Sequence, residues 1–179
     1  MKKILALTSV LLLAASLSYA QKTGTTTLSV SIGAEASIVV GTTPAFTSSG
    51  TFQPFTATTP LTYQIRTTSS GLGSITVEIT TDFSTGGTGG GPSVTTPPTS
   101  GDLLTYTSTV ATPGAGGTAT AFSAMTASMN NATNVATFSA SSESLAAGNT
   151  ASVAWSLTND PAYKAGSYSA VATFTIAAT

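Results

Sequence analysis

Three small groupings are the places where side chains of this sequence could do chemistry together. Glu78 and Asp82 stand four apart in SITVEITTD, and a pair of carboxylates is what glycoside hydrolysis needs. In an extended segment, however, both lie opposite Ile75, Val77 and Ile79, on the face expected to meet water. Asn159 and Asp160 in LTNDP could offer oxygens to calcium, yet calcium loops gather several acids, and Asp followed by Pro161 is first a turn signal. Histidine and cysteine are absent, so no near-neutral acid–base group, imidazole ligand or thiolate exists. Serine is plentiful, but past residue 20 only Lys22 and Lys164 could serve as an amine base, and no motif sets a serine beside either. We expect no enzyme, no cofactor and no metal.

Aromatic residues offer a second kind of site. Trp155 is the single tryptophan and could stack on a sugar, but it shares parity with Val153 and Leu157 in SVAWSLT. That parity assigns it to a core. Tyr63, Tyr106 and Tyr163 could form a sugar platform, although nothing in the sequence groups them.

The elements that must carry these residues read as strands. Apolar residues alternate in LTYQIRT, SITVEIT, SVAWSLT and YSAVATFTI, and more weakly in LLTYTSTV and NVATFSA. Ser and Thr make up roughly a third of the chain, and branched Thr suits a pleated surface. No window carries a convincing 3.6-residue stripe. Two Gly/Pro-rich stretches, residues 84–101 and 111–120, cannot pair regularly and read as loops. The pattern predicts an all-β chain, a single antiparallel β-sandwich. With no cysteine, a core and not a disulfide framework must hold it.

The first residues have the form of an export signal. Lys2 and Lys3 precede an apolar run too short to span a bilayer, and Ser18-Tyr19-Ala20 fits a cut after Ala20. No later apolar run is long enough for a transmembrane helix. The expected destination is the bacterial periplasm in transit, then the cell surface or the exterior. Beyond residue 20 the chain keeps three basic side chains against six acidic ones, a balance of −3, which argues against nucleic acid. Charged residues are 6% of the chain against about 25% in ordinary domains. A hydroxyl surface of this kind suits packing against copies of itself.

Beyond the signal comes TGTTTLSVSIGAEASIVVG, in which Leu28, Val30 and Ile32 share one face. Gly33-Ala34-Glu35 breaks the run. We therefore divide it, giving residues 37–40 to the domain's own sheet and leaving residues 21–33 as an extension to a domain of residues 34–179. At the other end, Ala165-Gly166-Ser167-Tyr168 resembles the tyrosine corner of immunoglobulin-like sandwiches, its hydroxyl tying back to backbone near NDPAYK. Together, TTTLSVSIGAEASIVVG and the closing AGSYSAVATFTIAAT resemble the subunits of bacterial chaperone–usher pili, particularly those similar to spore coat protein U. The usual disulfide near the first strand is absent.

The resemblance implies an immunoglobulin-like sandwich that lacks one strand and is completed by a donor strand from the next subunit. It makes Leu28, Val30 and Ile32 the groove-filling side chains, and Trp155 and Tyr168 structural. It implies a surface filament or coat built of copies of the chain, with a periplasmic chaperone and an outer-membrane usher as partners. The alternative is a self-contained secreted sandwich that binds glycans or cell-surface partners through its loops.

Overall fold

Alternation along the chain becomes ten strands in a computed structural model that describes residues 24–83 and 90–179. The expected signal (residues 1–20) and residues 84–89 of the first loop lie outside the described residues. The strands are β1 (Glu35–Val40), β2 (Thr47–Ser48), β3 (Phe55–Arg66), β4 (Gly73–Thr81), β5 (Leu104–Val110), β6 (Ala119–Ala121), β7 (Met125–Thr126), β8 (Thr133–Phe138), β9 (Asn149–Leu157) and β10 (Val171–Ala178). One sheet runs β1-β3-β9-β5-β7, with β2 also on β3, and the other runs β10-β4-β8-β6. Every pairing of named strands is antiparallel. The fold is an all-β sandwich.

Two units divide the chain, Met1–Ser31 and Ile32–Thr179. In the first, residues 24–31 form no regular element and are exposed. The second contains every strand of the described residues.

The core follows from period two. Leu61, Tyr63 and Ile65 of β3, Ile75, Val77 and Ile79 of β4, Leu104 and Tyr106 of β5, and Val153, Trp155 and Leu157 of β9 all turn inward and are buried. Tyr63 of one sheet meets Phe138 of the other at 4.9 Å between centroids, and Tyr106 meets Trp155, its partner on the neighbouring strand, at 5.4 Å. Polar groups carried into this core are matched, as low local polarity demands. The Tyr63 hydroxyl donates to the Ala111 carbonyl, Tyr106 to the Asn134 carbonyl at 2.8 Å, and Ser108 to the Val135 carbonyl at 2.6 Å. Among the described residues, no buried side-chain nitrogen or oxygen lacks a partner.

One residue decides where β1 stops. Pro60 lies inside β3, and its carbonyl accepts the Gly41 N–H at 2.8 Å. In an antiparallel pair the N–H and C=O of a residue point to the same neighbour, so the N–H that Pro60 lacks faces β1. The ladder ends there. Residues 41–46 leave the sheet, and β2 rejoins β3 only at Thr56 and Phe55.

Candidate functional site

Where β1 peels away, the two sheets stay open along one side. A groove of about 760 Å³ lies there. Its floor is apolar, formed by Phe46, Phe83, Leu104, Trp155, Leu157 and Phe174. Phe46 meets the edge of Phe83 at 6.2 Å, and Phe174 meets Trp155 at 6.3 Å. Residues 40–46 form one wall and residues 163–172 the other. Trp155 is 5% exposed and its indole N–H donates to Thr59 Oγ1 at 2.9 Å.

The seam belongs to the last strand. Among the described residues β10 pairs only with β4, which leaves its other edge without a strand partner. Its inward residues Ala172, Phe174, Ile176 and Ala178 stay half-buried, whereas Ile75, Val77 and Ile79 of adjacent β4 are at most 2% exposed. Same sheet, same alternation, different cover: β4 lies between β10 and β8, whereas β10 is a sheet edge with β1 of the other sheet packed close to it.

The upper wall is tied together by backbone and ring contacts. Tyr168 donates its hydroxyl to the Lys164 carbonyl at 2.9 Å. The Lys164 N–H donates to the Gly90 carbonyl at 3.0 Å, and the Tyr168 ring lies where a Cβ on Gly91 would be. These contacts hold Tyr168 in the loop, so β10 opens at Val171, three residues later than YSAVATFTI suggests. Nearby, Tyr163 donates to the Gly101 carbonyl at 2.6 Å and lies 2.9 Å from Asp102 Oδ1. Burial pushes its phenol up, and the Asp102 carboxylate pushes it further.

The remaining candidates from sequence fall elsewhere. Asp82 is not on a solvated face with Glu78; it is 2% exposed. Because β4 ends at Thr81, the chain turns and carries Asp82 inward, where Oδ2 accepts from the Ser93 hydroxyl at 2.6 Å and Oδ1 from the Val94 N–H at 2.8 Å. The carboxylate thus anchors the middle of the Gly/Pro loop and is not paired with Glu78 for acid–base work. Asp160 Oδ1 accepts from the Ala162 N–H at 2.8 Å, the hydrogen bond of an Asx turn. Tyr63 and Tyr106 are buried in the core, so the three tyrosines form no platform. Among the described residues, no group of three potential metal ligands occurs.

Leu28 and Val30 are 91% and 83% exposed within residues 24–31, and Ile32 at the start of the second unit is 64% exposed. Sequence reasoning named these three and expected a groove through the resemblance, but it did not name the residues that line one. The groove's walls are some 120 positions apart in the chain, and the local signal was a proline inside a strand. Compared with known proteins, the chain matches no family model, no curated protein and no solved structure at a significant level.

Proposed function

We propose that this chain is an exported structural subunit of a bacterial surface filament or coat, which assembles by adding its N-terminal segment as a strand to a second copy. One observation carries the reading: a sandwich whose last strand has one edge that no described strand hydrogen-bonds, in a chain whose alternating apolar segment is exposed. Backbone groups on the free edge of β10 give the added strand its hydrogen bonds, and alternate side chains in the groove give it register. Leu28 to Ile32 spans about 13 Å when extended, at about 3.3 Å per residue. Burying three such side chains contributes about 5–9 kcal/mol before ordering costs.

Strand order supports the same reading. A constant-type immunoglobulin sandwich sets strands A, B, E and D in one sheet and C, F and G in the other. Here β1, β3, β9 and β5 take the places of A, B, E and D, while β4 and β10 take those of C and F. No described strand takes the place of G beside β10. The departure is local: β6, β7 and β8 are inserted between β5 and β9, and β8 flanks β4 on its other side.

The test uses the exported chain and a synthetic peptide of residues 24–33. Electron microscopy and light scattering should reveal fibres or higher oligomers, and excess peptide should cap them and reduce their length. A Val30→Asp chain should fold and fail to assemble. Finding that the wild-type chain stays monomeric at high concentration, with no peptide binding, would sink the proposal.

A further inference from the structure

The alternation that fills the core leaves a second set of side chains on the outside of the sandwich. In the sheet of β1, β3, β9, β5 and β7, register sets them in rows. Thr56, Ser156 and Thr105 stand side by side across β3, β9 and β5, and Thr58, Ala154 and Thr107 form the next row. From Thr56 to Gln64 on β3, and along all of β9 and β5, the outward residues are Thr or Ser except for Pro60, Gln64 and Ala154. None is charged and none is aromatic. At one border Glu35 and Arg66 pair with each other at 2.8 Å. The other described charges lie on β4 or outside the strands.

The chemistry of this face narrows its partners. Without a cation it has no grip on phosphate or anionic lipid, and without a ring it offers no stacking platform for a sugar. A hydroxyl, however, both donates and accepts. A surface of hydroxyls therefore complements an identical surface, which a surface of carboxylates or ammonium groups cannot do. Thr109 and Ser152 show this within the sheet, their oxygens 2.8 Å apart with either able to donate. Between the hydroxyls, the Thr methyls supply apolar contact. A two-fold axis through the face brings rows onto rows, at the spacing of about 10 Å that stacked sheets adopt. Thr58, Thr62, Thr107 and Thr150 are exposed and free to meet such a partner.

We propose that this outer face is a contact between two copies of the chain, laid sheet against sheet with Ala154 of the central strand β9 near the axis. The inference goes beyond strand addition and uses a different face, so either can fail alone. Size sets its strength. Thr56 to Gln64 spans about 27 Å, and the strands from β1 to β7 together span about 19 Å. The face thus offers at most about 500 Å² per copy, where a standard interface buries about 800 Å². The contact is weak between two free copies. It becomes strong where copies stand in parallel filaments, because each further contact is then made within one assembly. Its role is lateral: it lays filaments side by side into a bundle or coat.

The full exported chain carrying Val30→Asp builds no fibres and so isolates the face. Sedimentation at rising concentration should show it passing reversibly from monomer to dimer. Adding Ala154→Lys should weaken that dimer by at least about tenfold, because like charges are brought face to face. Thr107→Lys should act the same way, and it carries the test if Ala154→Lys does not fold. Thr120→Lys sets the same charge on β6 of the other sheet and should leave the dimer unchanged. In electron micrographs, wild-type fibres should lie in bundles and fibres of the Ala154→Lys chain should lie singly. A Val30→Asp chain that stays monomeric at every concentration overturns the face contact. So do folded face variants that dimerise as their parent does, or an equal loss with Thr120→Lys. Retention on insoluble cellulose that Ala154→Lys abolishes, with no dimer, also overturns it and gives the face to a glycan. Wild type without fibres sinks strand addition alone and leaves the dimer test standing.

Discussion

The indole nitrogen of Trp155 donates a 2.9 Å hydrogen bond to the hydroxyl of Thr59, beneath the groove and between paired strands β9 and β3. Both side chains are at most 5% exposed. Thr59→Val keeps the shape and removes the acceptor, which strands a buried donor at a cost of about 1–3 kcal/mol. Urea unfolding followed by tryptophan fluorescence should show a lower midpoint with an unchanged slope. An unchanged midpoint would mean that water reaches the indole.

Asp82 makes the second testable connection. Its carboxylate binds the Ser93 hydroxyl and the Val94 N–H while itself 2% exposed, and Val94 is fully buried. Asp82→Ala leaves those donors without their acceptor and should cost about 2–4 kcal/mol. The signature is local. Amide exchange at Val94 should accelerate by more than exchange at Val77 in the middle of β4, whereas equal acceleration at both sites would indicate global destabilisation with no anchoring role.

Alkaline pH should find the buried tyrosines. Burial pushes the Tyr63 phenol from 10.0 up to about 12 and raises Tyr106 as well. Between those pH values the unfolded chain has lost a proton that the folded chain still holds, so unfolding releases protons and rising pH favours it. Stability should stay level up to about pH 10 and then fall by about 1.4 kcal/mol per pH unit for each such group. Melting temperatures from pH 7 to 12 test this, and Tyr63→Phe should flatten part of the alkaline decline. An identical decline in that variant would remove Tyr63 from the account.

How far the sequence revealed these features depended on their range. LTYQIRT, SITVEIT and SVAWSLT became β3, β4 and β9 because each half-buried strand repeats its preference over seven or more residues. β2, β6 and β7 are two or three residues long, too short for any period to register. Asp82 misled because parity holds only while the strand lasts, and β4 ends one residue earlier. The exposed triad of Leu28, Val30 and Ile32 was legible from alternation and the glycine that follows. A groove was expected only through the resemblance, and its lining was not legible, since it arises from Pro60 ending a ladder and from loops remote in sequence meeting across it.

Gly91 and Tyr168 provide the last prediction, at the rim of the groove. The Tyr168 ring occupies the space where a Cβ on Gly91 would lie, and its hydroxyl is fixed to the Lys164 carbonyl. Gly91→Ala must therefore push the ring aside, at a cost of about 1–3 kcal/mol from overpacking. Tyr168→Ala also destabilises, by removing the ring and its hydrogen bond. Added to Tyr168→Ala, however, Gly91→Ala meets an empty space and should cost almost nothing. The two changes should thus fail to add, with a coupling of at least about 1 kcal/mol in thermal or urea unfolding. Simple additivity would show that the ring does not press on Gly91, and that this wall of the groove is held by backbone contacts such as Lys164 to Gly90 alone.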